Sequence, residues 1–368
     1  MVAQPACRCL RSDQGEQPLN QPASLADSFR RLIAAHGPIS LMQFMGESNT
    51  HYYSRREPFG EAGDFVTAPE ISQMFGELIG LWLADMWIRA GREEPVHYVE
   101  LGPGRGTLAR DAQLAMKRYG LEPRQHLVEG SIALRNVQLQ QVPEAIFHDD
   151  LSRVPMEGPI LLVANEFLDA LPVRQLVMTE QGWREVMIGL DGDGRFIEVP
   201  GQVPMDAAVP EARRKAEPGT LIETSPGAAA ILFEAAGRLV KQGGAALFID
   251  YGHATSRIGS SVQAVRNHRK VDWLAEPGVA DISAHVDFAQ AALIAQSRSA
   301  RWLGTVEQGQ FLKALGIAQR AEALANFAPQ HRQALAEACE RLTAPEQMGS
   351  LFKVMGLAGP DWPDGAGF

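Results

Sequence analysis

The chain has 368 residues, 45% hydrophobic and 21% charged, which suits a soluble globular protein with one large domain or two unequal ones. A formal net charge of -10 and a pI of about 5.5 argue against binding nucleic acid or anionic membrane through bulk charge. Cys7, Cys9 and Cys339 cannot build a disulfide framework and point to a reducing compartment, and no apolar stretch approaches the roughly 18 residues that would insert in a membrane.

Residues 1–22 are polar, carry Pro5, Pro18 and Pro22, and read as a disordered tail. Arg8 and Arg11 make a weak transit peptide because Asp13 and Glu16 follow them, and no signal-peptide apolar core is present. Residues 23–95 are expected to form a helical and lid region. Ser24 and Gly37 bracket a short amphipathic helix with Leu25, Phe29, Leu32 and Ile33 on one face, and "ISLMQFMGE" continues with a second. An irregular stretch, 48–77, is rich in Gly, Pro, Tyr and charge, and a loop of that length inside a domain is usually a lid or binding loop. A helix over about 72–90 follows.

From Val96 short apolar runs alternate with helical stretches, through "VHYVELG", "RDAQLAMKRYG", "QHLVEGS", "ALRNVQLQQV", "AIFHDDL" and "ILLVANEFLDALP". That order predicts an α/β fold with a doubly wound, mostly parallel sheet across 96–357. Gly-containing turns in 174–200 predict an antiparallel β-hairpin insertion. Residues 254–300 read as a loop-like, then helical, insertion, "RWLGTVEQGQFLKALGI" as a strand and helix, "GSLFKVMGLAG" as a last strand, and 358–368 as a tail.

"VELGPGRGTLARD" (99–111) joins the first strand of that pattern to a helix. It lacks the Gly-Lys-Ser/Thr of a phosphate-transfer loop and departs by one position from the dinucleotide fingerprint G-x-G-x-x-G. Pro103 removes a backbone donor that a pyrophosphate would use, and Glu100 would repel one. A carboxylate there can instead hold an ammonium, as S-adenosylmethionine (SAM) offers. Gly102, Gly104 and Gly106, with Thr107 opening the helix, would let the backbone approach its methionine and ribose parts. Glu129 ends the second strand, where an acid accepts hydrogen bonds from ribose hydroxyls; this fits NAD and SAM equally. Asp149 or Asp150, after the third strand, could accept from an adenine amino group or simply cap the next helix.

The order of these motifs resembles the class I SAM-dependent methyltransferases, and more sharply the MidA family. The residues that carry the resemblance are "YYSRREPFGEAGDFVTAPEISQMFGELIGLWL" (52–83), "VELGPGRGTLARD", "ANEFLDALPVRQ" (164–175), "LFIDYG" (247–252), "AHVDF" (284–288) and "QGQFLKALGI" (308–317). It covers roughly residues 24 to 357. It implies a Rossmann-like methyltransferase core with added elements, SAM as cofactor and S-adenosyl-L-homocysteine (SAH) as product. The family's mitochondrial relative assists assembly of respiratory complex I and symmetrically dimethylates an arginine of its quinone-site subunit. The same acceptor is therefore the one implied here, in the bacterial cytoplasm or the mitochondrial matrix, and a homodimer is compatible with it.

An arginine acceptor is a cation with pKa above about 12, so its site should offer carboxylates. "NEFLDALP" (165–172) lies where a fourth strand should end, at the ligand-binding edge of such sheets. A helix starting there would put Glu166 and Asp169 on one face, with Glu166 as the main guanidinium-binding group, Asp169 as its partner and Asn165 orienting an N–H. Asn165 as a plain N-cap, with acids in a first turn, is the structural alternative. In "GEAGDFVTAPE" (60–70), Asp64, Thr67 and Glu70 are candidate lid or acceptor contacts, with Tyr52, Tyr53 and Phe59 walling off water. Asp250 either faces the acceptor or anchors a turn. His285 lacks a second spaced ligand, so no metal is expected. The competing functions are methylation of another protein or a small molecule, NAD-dependent redox chemistry, which Glu100 and Pro103 disfavour, and a non-catalytic assembly chaperone.

Overall fold

The computed structural model describes residues 24–55, 66–266 and 269–368. Ser24 accepts from the Asp27 N–H and opens α1 (Leu25–His36), whose buried residues are Phe29 and Ile33. A two-residue strand, β1 (Ile39–Ser40), leads into α2 (Leu41–Arg55), so the expected irregular stretch begins as helix. α3 (Ala68–Ile71) and α4 (Gln73–Arg89) follow, with Ser72 capping α4 through the Met74 N–H at 3.2 Å. The alternating region then gives β2 (His97–Leu101), α5 (Thr107–Lys117), β3 (Arg124–Val128), α6 (Ile132–Gln141), β4 (Ile146–His148) and β5 (Ile160–Asn165).

The hairpin pattern forms β6 (Arg174–Thr179), β7 (Gly182–Leu190) and β8 (Phe196–Pro204), which β9 (Leu221–Thr224) joins. α7 (Pro226–Gln242) and β10 (Gly244–His253) resume the core. Residues 254–300 keep the expected helix and correct the loop-like part before it. They hold β11 (Gln263–Arg266), β12 (Arg269–Val271) and β13 (Asp281–Ser283) before β14 (Val286–Asp287) and α8 (Phe288–Ser297). Such short strands show no alternation; their ladder partners define them. The chain ends through β15 (Arg301–Glu307), α9 (Gln308–Ala314), α10 (Ile317–Phe327), α11 (Arg332–Thr343) and β16 (Phe352–Ala358).

The main sheet runs β15-β16-β10-β5-β2-β3-β4, with β14 added on β10. The pairs from β10 to β4 are parallel, and β16 lies antiparallel between β10 and β15. Alternate residues of β5 feed opposite faces: Leu161 and Val163 join one core, Ile160, Leu162 and Ala164 the other. Both faces are covered, which explains the unbroken apolar run of that strand. On the first face α4 lies so close to α5 that a Cβ on Gly80 would stand 2.4 Å from the Ala112 carbonyl oxygen. Strand order reverses between β2 and β5, and the crevice at their C-terminal ends is where open α/β sheets bind ligands.

β1, β7, β6 and β9, with β8 on β7, form a second sheet; β12-β11-β13 form a third. α1 and α2 join them in one apolar cluster that includes Phe29, Phe44, Phe196 and Ile282. This brings α2 and β13 to the same crevice. Among the described residues no helix is long and apolar enough to cross a membrane.

Candidate active site

A cavity of about 1080 Å³ opens at the switch point. Its floor is the end of β2 and the glycine loop. Glu100 is buried at 3% exposure and accepts from Tyr98 Oη at 2.6 Å. Burial pushes its carboxyl up to about 7 against that hydrogen bond. Gly102 has a φ of +61°, and a Cβ there would meet Phe167 Cδ2 at 2.6 Å. This glycine lines the cavity and also makes room for an aromatic ring of the neighbouring turn. Gly104 also lines the cavity; Gly106 does not, and serves as the left-handed residue that starts α5 at Thr107.

Glu129 leaves the end of β3 and enters the same cavity. Its Oε1 accepts from the Ser131 N–H at 2.7 Å and its Oε2 from Gln138 Nε2 at 3.3 Å. Burial raises its carboxyl above the usual range. Gln138 also donates to the Gly104 carbonyl at 2.7 Å, tying the two loops together. Asp149 and Asp150 do not reach the cavity wall. Asp149 pairs with Arg135, and Asp150 caps a single turn through the Ser152 N–H at 2.8 Å.

The adjoining part of the cavity wall is built by "NEFLDALP". No helix begins there, which corrects the expected helical face. Asn165 is the last residue of β5, and Glu166 takes a φ of +50°, a left-handed conformation that L side chains rarely adopt. A buried carboxylate holds the turn in place. Asp250 Oδ2 accepts from the N–H groups of Phe167, Leu168 and Asp169 at 3.1, 2.8 and 3.2 Å, and its Oδ1 from Tyr251 at 2.9 Å. Asp250 is therefore the turn anchor and lies outside the cavity lining.

That turn presents Asn165, Glu166 and Asp169 to the cavity. Glu166 Oε1 accepts from the Ala68 N–H at 3.1 Å and from Asn165 Nδ2 at 3.2 Å, so it caps α3, which Thr67 does not do with its own side chain. Burial, with repulsion from Asp250 and Asp281, lifts Glu166 to about 8. Burial and the same neighbours raise Asp169 as well. Thr67 and Glu70 also line the cavity, and the Thr107 hydroxyl donates to Glu70, joining this segment to the glycine helix. Asp64 and Phe59 lie outside the described residues. Tyr53 is on the wall, while Tyr52 is buried in the interior with its ring 5.2 Å from Tyr53.

Asp281 and Asn49 are the residues that sequence reading missed. Asp281 lines the cavity from β13 and accepts from Tyr53 Oη at 2.8 Å. Asn49 donates to the carbonyls of Ala170 at 3.0 Å and Ile282 at 2.8 Å and accepts from the Ile282 N–H at 3.1 Å. It stitches α2, the acidic turn and β13 together. Neither stands in a local motif, because both act across more than a hundred residues of chain.

Residues 78–306 match the model of a family described as "Putative S-adenosyl-L-methionine-dependent methyltransferase". The chain belongs to this methyltransferase family. The methyltransferase is similar to the Drosophila melanogaster protein named protein arginine methyltransferase NDUFAF7 homolog, mitochondrial, with 36% identity covering 91% of this chain and 84% of that one. Against human protein arginine methyltransferase NDUFAF7, mitochondrial, identity is 33%, covering 93% and 85%. A crystal structure of a Burkholderia thailandensis COG1565 superfamily member bound to S-adenosyl-homocysteine superimposes with a TM-score of 0.78 at 28% identity, covering 90% of this chain and 91% of that one. SAM is the methyl donor of this enzyme and SAH its product.

Proposed function

We propose that this methyltransferase acts on an arginine side chain of a protein, gripped by Glu166 and Asp169, and that the protein is the quinone-site subunit of respiratory complex I. The observation that carries the reading is the group of carboxyls at one end of the cavity: Glu166, Asp169 and Asp281 all line it. Carboxyls held above their normal range favour a ligand that brings positive charge. The names of the fly and human relatives agree with this choice of acceptor.

The same cavity is assigned to the donor as well. Glu100 would hold the ammonium, the Gly102–Gly104 turn the methionine part and Glu129 the ribose. The buried Oδ1 of Asn165, which lines the cavity, has no hydrogen-bond partner among the described residues and leaves an acceptor for a ligand N–H or O–H group. SAM supplies there an electrophilic methyl on a sulfonium, which leaves as a neutral thioether. The chain's own part is to hold the guanidinium about 3 Å from that methyl and in line with the breaking C–S bond. Glu166, with a proton affinity near neutrality, takes the proton that the attacking nitrogen releases. Asp169 and Asp281 keep positive charge away from that nitrogen through hydrogen bonds to the others.

Mass spectrometry of the quinone-site subunit, purified from cells with and without this protein, tests the acceptor. Arginine methylation on that subunit should disappear without the enzyme. An unchanged pattern removes the complex I assignment.

A further inference from the structure

We infer that a second cavity, beside the active site, is a subsite for an acidic side chain of the acceptor polypeptide. This rests on the protein-arginine reading above and adds to it the sequence context of the acceptor. The cavity measures about 660 Å³ and shares Gln263, Lys270 and His285 with the active-site cavity as a common wall. Arg257 and His253 line the second cavity alone.

Its charge is opposite in sign to that of the acidic end. The side chains of Arg257 and Lys270 form no ion pair or hydrogen bond among the described residues, and both are exposed for contact. His253 Nδ1 is buried and has no hydrogen-bond partner among those residues. Burial lowers the proton affinity of His285, and the nearby His253, Lys270, Arg257 and Lys353 lower it further, so the local field is positive. The N-termini of α7 and α8 open here through Ser225 and Asp287, adding the positive ends of two helix dipoles.

Two carboxylates face the cavity, and both are engaged. Glu223 accepts from Gln175 Nε2 at 2.6 Å, from the Ser261 N–H at 3.3 Å and from the Ser261 hydroxyl. Asp287 caps α8 through the Gln290 N–H at 3.0 Å. A polypeptide with an arginine flanked by Glu or Asp matches both signs across the shared wall. A basic flank would meet Arg257 and Lys270 and be repelled.

The test uses the full chain loaded with SAH and short synthetic peptides with one central arginine. One set has flanking glutamates, a twin set glutamines, a third lysines. Calorimetry should show the glutamate peptides binding about tenfold more tightly than their twins, the size expected for a charge-assisted hydrogen bond. Arg257→Glu should reverse the order in favour of the lysine peptides, a change that misfolding cannot produce. Equal affinities, no binding, or a glutamate preference that survives Arg257→Glu overturns the subsite. So does inorganic phosphate that binds through Arg257 without displacing the glutamate peptide, because the cavity is then a small-anion site. Methyl transfer with SAM is measured separately. A glutamate preference without transfer to arginine counts against the acceptor reading and leaves the subsite standing.

Discussion

Glu100 and Glu166 are single carboxyls lining one cavity, and burial changes what each can do. Glu100 titrates near 7 without a ligand, and an ammonium beside it would hold it ionised. Its protonation then competes with the donor. SAM affinity should weaken roughly eightfold from pH 7.5 to 6, which calorimetry at the two values measures. A flat profile would remove Glu100 from the ammonium. Glu166→Ala should abolish transfer and leave SAM affinity within about twofold, since the groups assigned to the donor lie elsewhere. Turnover that persists in the variant would end the guanidinium role. Both residues were legible in sequence as acids at strand ends. Asp281 and Asn49 were not, because what makes them matter is the β13 strand folding against α2.

Elements place these residues through close approaches that leave little room for change. α4 meets α5 at Gly80, and the group a Cβ would strike is backbone, which cannot swing aside. Gly80→Ala should therefore destabilise by about 1–3 kcal/mol in urea unfolding, although alanine is the better helix former. A gain in stability would show that the two helices can separate. Three parallel strands are also linked by imidazoles. His97 Nε2 lies 2.7 Å from the Glu157 carbonyl, His97 Nδ1 2.9 Å from His126 Nε2, and His126 Nδ1 2.9 Å from His148 Nε2. A carbonyl only accepts, so His97 carries its proton on Nε2, and the same tautomer follows down the ladder. A second proton on His97 or His126 would force the next imidazole of the ladder to change tautomer. Burial, then the neighbouring imidazoles, lowers His126 to about 4. Nitrogen NMR should find His126 neutral and Nε2-protonated at pH 5.5; an imidazolium signal there would break the ladder. None of this was visible in sequence, where the histidines stand alone.

At the scale of the molecule, the same groups set how stability varies with pH. Glu100 and Glu166 bind protons more tightly folded than unfolded, so the ligand-free protein loses stability as pH rises from 4.5 towards 8. His126 does the reverse: its folded value is depressed, and stability falls as pH drops from 6.5 towards 4. Above pH 6.5 only the carboxyl effect remains, so the ligand-free enzyme should be less stable at pH 8 than at pH 6. Denaturation midpoints at pH 6 and 8 check this, and a higher midpoint at pH 8 would contradict it. SAH should narrow the gap, because an ammonium placed beside Glu100 would stabilise its ionised form.

By itself the sequence determined the layered core, the cofactor class and the main acidic turn. Strand periodicity, the glycine loop and strand-end acids are local patterns, and each is enforced by neighbours a few residues away. Only the tertiary structure decided how the turn after Asn165 is shaped. The expected helix is absent because Asp250, some eighty positions on, collects the N–H groups of Phe167, Leu168 and Asp169. It likewise turned the expected loop-like segment before α8 into strands and brought Asp281 to the cavity. Those outcomes depend on hydrogen bonds between distant segments, and a chain pattern records them only after the segments have met.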